Sequence, residues 1–225
     1  MVPASTERLV HIAAEGATLE GALTVPAHAQ GIVLFAHGSG SSRMSPRNNF
    51  VAADLRIAGF GTLLMDLLTR EEDRDHERRF DIPLLTQRLE AVARWLATQK
   101  DTAALALGLF GASTGAAAAL QAAATLGPMV RAVVSRGGRP DLAGTNMLQR
   151  VRSPTLLLVG GYDDAVIELN RKAYAVLTCP KEIIVIPGAT HLFEEAGTLE
   201  QVVREARRWF QRFLSPAEAT TPSSQ

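Results

Sequence analysis

Residues 105–121 read LALGLFGASTGAAAALQ, and the chemistry starts at Ser113. A Gly-x-Ser-x-Gly run between an apolar strand and a helix holds the serine hydroxyl up on a sharp turn, the nucleophile elbow. Gly111 and Gly115 lack a Cβ, so the turn can tighten and the helix can lie close to the strand. The start of the helix offers unpaired backbone N–H groups and the positive end of its dipole. The competing reading is a packing turn made of small residues. A serine hydroxyl is a weak nucleophile that needs a general base and a group to orient that base, so the rest of the chain decides between the two.

The chain has five histidines. His11 and His28 fall in or near the first strands without a site around them, and His76 lies in a charged, solvated stretch. His191, in PGATHLFEE after the last strand, is the expected base; its alternative is an exposed loop histidine. The acid is expected from GGYDDAV, where Asp163 is preferred and Asp164 is then the N-cap of the next helix; capping alone is the alternative for both. A developing oxyanion needs donors, each typically worth about 2.7–4 kcal/mol of barrier. The backbone N–H of Thr114 is one. The other is expected from HGSG (37–40), with Ser39 first and Gly40 second, while His37 holds that loop by a hydrogen bond. A simple Gly-rich turn is the alternative for HGSG.

Four arginines stand near these positions. Arg43 follows HGSG, Arg136 and Arg139 lie in SRGGRPD, and Arg79 closes the charged stretch. They could line the rim of a pocket and favour an anionic or phosphate-bearing substrate. Ion pairing with Glu71, Glu72, Asp73 or Asp141 is the blander reading and the preferred one. No clustered Cys/His or carboxylate spacing suggests a metal, and no GxGxxG follows a strand, so no cofactor is expected.

These residues must be positioned by an alternation of strands and helices. Strands are expected at 8–14, 18–25, 31–37, 61–67, 105–111, 130–135, 155–161 and 182–188. The first two are joined by the Glu15-Gly16 turn, and GIVLFAH (31–37) is a near-continuous apolar run of the kind buried on both faces. Helices are expected at 47–58, 83–98, 114–126, within 141–150, at 165–177 and at 199–213. Asp81 is the N-cap of the second, and Thr198 and Gln201 have capping-box spacing before the last. The stretch TREEDRDHERRFD (69–81) has no apolar period and reads as a loop or short lid. The pattern predicts a doubly wound, mostly parallel sheet flanked by helices, with ligands at the carboxyl ends of the strands. The base, the acid and the oxyanion loop all fall just after strands, at the edge where Ser113 sits. Packing alone does not predict this, which favours the chemical reading of Ser113.

Composition sets the bounds. The chain has 225 residues, 47% apolar and 20% charged, with 23 basic and 23 acidic residues and no net charge. That is ordinary for a soluble globular protein and gives no bulk attraction to nucleic acid or anionic membrane. Residues 1–214 read as one domain, and SPAEATTPSSQ from Ser215 reads as a disordered tail. The only cysteine, Cys179, allows no intramolecular disulfide. The opening MVPASTERLVHIAAEG has no basic or apolar leader segment, and no apolar run reaches the ~18 residues of a membrane span. The expected location is the cytoplasm, as a monomer or homodimer.

Over residues ~20–213 the chain resembles the α/β-hydrolase superfamily. Its order of Ser113, Asp163 and His191 follows the superfamily's Ser…Asp…His order. Within it, FAHGSGSSRMSPRN, LLTREED…RFDI, GASTG, SRGGRPDLAG, LLLVGGYDD and IPGATHLFEE resemble the small bacterial hydrolases of the dienelactone hydrolase-like group, which lack a large cap domain. The resemblance implies an α/β-hydrolase fold and a Ser113–His191–Asp163 triad. It departs at the elbow, where dienelactone hydrolases place a cysteine and this chain has Ser113; Cys179 lies elsewhere and reads as a core thiol. Ordinary ester hydrolysis is therefore expected in place of dienelactone cleavage. The expected function is a serine carboxylesterase acting on small, soluble esters. The alternatives are an acyltransferase, thioesterase or amidase using the same triad, and a non-catalytic binding module on a hydrolase scaffold.

Overall fold

The computed structural model describes residues 7–215. At the start, β1 (Arg8–Ala14) and β2 (Ala17–Thr24) pair antiparallel around Glu15 and Gly16. Both turn residues have positive φ, 47° and 72°, the geometry of a two-residue hairpin turn that follows the twist of its strands. β3 (Ile32–Ala36), β4 (Gly61–Met65), β5 (Leu107–Ala112) and β7 (Thr155–Gly160) are buried at every position, as their apolar runs require. With β6 (Val130–Arg136) and β8 (Lys181–Ile186) they form one sheet of eight strands in the order β1-β2-β4-β3-β5-β6-β7-β8. Only β1–β2 and β2–β4 are antiparallel; the five pairings from β4 through β8 are parallel.

Helices cover both faces. α1 (Pro46–Ile57) and α6 (Thr198–Leu214) pack on one, over Phe35, Phe110, Val134 and Leu158. α2 (Ile82–Leu96), α3 (Thr114–Leu126), α4 (Thr145–Arg150) and α5 (Asp164–Val176) lie on the other. The alanines of α3 are the reason it can lie centrally: Ala116 to Ala119 are all fully buried. This is the α/β-hydrolase architecture.

Two cap expectations meet different outcomes. Asp81 caps α2, its carboxylate accepting from Leu84 N–H at 3.0 Å. The capping box at Thr198 does not form. α6 already begins at Thr198 behind Gly197 (φ 81°), and the Thr198 hydroxyl donates to the Glu195 carbonyl at 2.7 Å. Beyond Ser215 the expected tail lies outside the described residues. No helix among the described residues is long and apolar enough to cross a membrane.

Candidate active site

Ser113 stands between β5 and α3 with φ 50° and ψ −121°, a left-handed backbone that costs an L-residue energy and persists only where its surroundings enforce it. Three neighbours enforce it. Ser113 N–H donates to the Arg136 carbonyl at 3.2 Å, and Ser113 C=O accepts from Ala116 N–H and Arg139 N–H, each at 3.1 Å. The flanking glycines work as their type predicts. A Cβ on Gly115 would stand 2.3 Å from the Ala36 carbonyl oxygen, and one on Gly111 would stand 2.4 Å from the Ala116 Cα. Only hydrogen at those two positions allows β3, β5 and α3 to meet this closely.

The HGSG loop closes over the elbow. Gly38 faces the serine, since a Cβ there would lie 2.9 Å from the Ser113 Cβ and 3.7 Å from its Oγ. His37 is buried and held at both ring nitrogens. Nε2 accepts from Leu67 N–H at 3.0 Å, which leaves the proton on Nδ1 to donate to the Gly38 carbonyl at 2.9 Å. Burial pushes the His37 pKa down, in keeping with a neutral ring that must accept a hydrogen bond. The expected loop-holding role of His37 thus has its geometry. Ser39 differs from its expectation. Its N–H does not open onto an empty hole but donates to Thr114 Oγ1 at 2.9 Å.

His191 and Asp163 arrive from the ends of β8 and β7. His191 Nδ1 and Asp163 Oδ2 are 2.6 Å apart. Of the two aspartates, Asp163 is the one in contact with His191. Asp164 is exposed, and it is the first residue of α5 rather than its cap; Asp163 takes the N-cap position, with no side-chain cap bond. Gly137 packs against the His191 loop. It follows Arg136, whose carbonyl holds Ser113, and a Cβ on it would lie 3.1 Å from the His191 carbonyl oxygen and 3.6 Å from His191 Cε1. With φ 50° it also needs glycine's freedom. Phe193, two residues beyond His191, is buried with φ 56°.

The four arginines separate. Arg43 pairs with Asp66 and, at 2.7 Å, with Glu20. Arg79 pairs with Asp73 at 3.1 Å, and Arg139 grips Asp141 through two bonds of 2.9 and 2.7 Å. The ion-pairing reading therefore holds for all three, with Asp66 and Glu20 as the unforeseen partners of Arg43. Arg79 still reaches over Gly40, 3.6 Å from where its Cβ would be. Arg136 is not on a rim. It is buried against the Phe193 ring, 5.9 Å from its centroid, and has no carboxylate partner among the described residues. Burial, and secondly the nearby Arg47, bring its pKa down to about 10.

Beside HGSG, between 41–44 and 66–73, lies a groove of about 290 Å³. It continues toward Glu20 of β2 through a further 110 Å³. Its one cation without an ion pair among the described residues is Arg70, which the sequence reading passed over although DLLTR places it just beyond the end of β4. The charged stretch 69–81 folds into two 3₁₀ turns, Glu72–Arg74 and Arg78–Phe80. It is anchored by Glu72, which receives bonds of 2.7 Å from both terminal nitrogens of Arg88. Arg88 lies in α2 and is almost wholly buried. Its bond holds the Glu72 carboxyl well below the usual range, at about 2. No group of three metal-ligating side chains occurs among the described residues.

Comparison with known proteins agrees with the architecture. The model of the dienelactone hydrolase family matches residues 19–215. The crystal structure of a dienelactone hydrolase from Anabaena variabilis is 51% identical, with a TM-score of 0.90 over 93% of this chain and 99% of that one. Est1E from Butyrivibrio proteoclasticus, 16% identical with a TM-score of 0.77 over 91% and 98% of the two chains, shares the fold. A Mycobacterium tuberculosis protein provisionally named a phosphoribosyl transferase is 58% identical over 208 residues. Those residues are 92% of this chain and 47% of that protein, so the chain spans about half the length of the curated relatives it matches. The chain belongs to the dienelactone hydrolase family.

Proposed function

We propose that this protein is a serine carboxylesterase acting on small esters through an acyl-enzyme on Ser113. The observation that carries the reading is the 2.6 Å His191–Asp163 contact at the same sheet edge as a serine on a strained elbow. Asp163 orients the imidazole and favours the proton on Nδ1, leaving Nε2 as the base. Ser113 Oγ gives its proton to His191 and bonds to the ester carbonyl carbon, and the carbonyl oxygen becomes an oxyanion. Thr114 N–H, in the first turn of α3 and without an intrahelical acceptor, stabilises that charge. Collapse of the tetrahedral intermediate breaks the C–O bond, and His191 returns the proton to the leaving alcohol. Water then repeats the sequence to release the acid and restore Ser113.

The groove beside HGSG supports a small substrate. Arg70 on its wall favours esters that carry an acidic group on that side, while Arg43, Arg79 and Arg139 are neutralised by their carboxylate partners. The transferase activity in the mycobacterial relative's name is given to a protein about twice as long, and no feature of this site calls for it.

Hydrolysis of p-nitrophenyl acetate, butyrate and octanoate by wild type and Ser113→Ala tests the proposal. The wild type is expected to turn over the short esters fastest. The variant should lose activity by roughly 10⁴-fold or more. Equal rates for the two proteins, or a steady rise with chain length beyond about eight carbons, would contradict the reading.

A further inference from the structure

The bond between Ser39 N–H and Thr114 Oγ1 ties together the two residues expected to supply the oxyanion donors. A backbone N–H has one proton, and here the Thr114 hydroxyl oxygen receives it. The loop that carries Ser39 is held in place. His37 spans from Leu67 N–H to the Gly38 carbonyl, and Ser41 N–H donates to the same carbonyl at 3.2 Å. Turning the Ser39 amide toward a substrate would break this arrangement.

The Thr114 hydroxyl has spent an acceptor site and still has its proton to give. A helical threonine commonly gives that proton to a carbonyl three or four residues back. Thr114 opens α3, so no helical carbonyl precedes it, and its hydroxyl donates to no acceptor among the described residues. Thr114 as a residue is 2% exposed. It neighbours a serine whose Oγ would lie 3.7 Å from a Cβ on Gly38, the residue before Ser39. A buried hydroxyl with an idle proton, already polarised by an incoming N–H, thus belongs to the residue that directly follows the attacking serine.

We propose that the Thr114 side-chain hydroxyl is a catalytic oxyanion donor, in a relay running Ser39 N–H to Thr114 O–H to the substrate oxygen. Ser39 acts at one remove and Thr114 contributes twice, through its N–H and its hydroxyl. The proposal rests on the serine hydrolase reading above. No bond of the threonine is made or broken; its proton stays on Oγ1 and points at the charge that develops on the carbonyl oxygen.

Thr114→Val, which keeps the shape and removes the hydroxyl, tests this beside Thr114→Ala and Thr114→Ser. The expected result for valine and alanine is a loss of about 10²–10³-fold in kcat, the cost of one oxyanion donor, with KM changed by only a few-fold. A trifluoromethyl ketone inhibitor, whose hemiketal carries the oxyanion, should weaken in step with kcat/KM. Thr114→Ser should recover most of the loss. A kcat in Thr114→Val and Thr114→Ala within about threefold of wild type overturns the proposal. So does a valine variant faster than wild type, which would make the hydroxyl a plug over the Ser39 N–H. So does a serine variant as slow as valine. If wild type is inactive on all esters, or Ser113→Ala is as active as wild type, the serine hydrolase reading fails instead.

Discussion

Two stretches flank the HGSG loop, and they are built on opposite plans. From β5 into α3 the chain is small and uncharged. Close approach of backbone to backbone fixes Ser113, and the glycines at 111 and 115 leave no room for any side chain. From the end of β4 into α2 the chain is dense in charge. Its Asp66 pairs with Arg43, which also holds Glu20 of β2; its Glu72 pairs with Arg88 and its Asp73 with Arg79; and Arg43, Asp66 and Asp73 line the groove. The first plan holds one atom in one place, as chemistry requires. The second shapes a surface and can be rewritten residue by residue without moving the serine. The triad geometry and the substrate preference should therefore respond to different substitutions.

The largest separation is expected on the chemical side. Asp163→Asn keeps the shape but removes the charge and the tautomer preference it imposes on His191, and kcat should fall by about 10⁴-fold. Asp164→Asn, at an exposed position, should leave kcat within about twofold. The same ester assay reads both, and equal losses would return the choice between the two aspartates to open.

On the charged side the loss should appear in stability. Glu72→Gln leaves Arg88, which is almost wholly buried, without its counter-charge, at a cost of roughly 3–5 kcal/mol, measurable by urea unfolding. The pH dependence has a definite sign. The Glu72 carboxyl is held below its ordinary 4.5, at about 2, by the Arg88 hydrogen bonds first. Its contribution is thus complete above about pH 4.5 and is lost as pH falls toward 2. The stability gap between wild type and Glu72→Gln should be constant from pH 5 to 7 and narrow below 4.5. A gap that widened on acidification would contradict the pairing.

Gly137→Ala probes the seam between the two plans and His191. The alanine would adopt φ 50° and press its Cβ toward the His191 carbonyl 3.1 Å away. Strain of about 1–2 kcal/mol and a kcat loss of up to about 10²-fold from a shifted base are expected, read by thermal melting and ester turnover. The smallest effect is expected from Arg70→Gln: KM for an ester bearing a carboxylate should rise about tenfold, the worth of one charge-assisted hydrogen bond, while a neutral ester should be unaffected. Equal change for both esters would remove Arg70 from recognition.

The difference in plan also explains what was legible in the sequence. The elbow, His191 and the pair Asp163/Asp164 are local patterns at strand ends, and the alternation of strands with helices placed those ends on one edge. Asp163 was already preferred over Asp164 from the sequence; what the pattern missed is that α5 starts one residue earlier than expected, so that Asp164 is its first residue and exposed in place of its N-cap. The Thr198 capping box failed for the same one-residue reason. The charged stretch read as a possible lid because its partner, Arg88, stands 16 positions away inside α2, where an apolar stripe dominates the pattern. Arg136 read as a rim residue because its burial against Phe193 joins the end of β6 to a loop distant in the chain. The Ser39–Thr114 bond spans 75 positions, and no spacing rule reaches across that distance.

The most direct test of the central claim is to label wild type with a fluorophosphonate and map the adduct by peptide mass spectrometry. A single adduct on the peptide containing Ser113, absent in Ser113→Ala and formed in proportion to the loss of ester hydrolysis, is the expected result. An adduct on Ser39, Ser41 or Ser135, or full ester hydrolysis by a protein that takes no label, would contradict it.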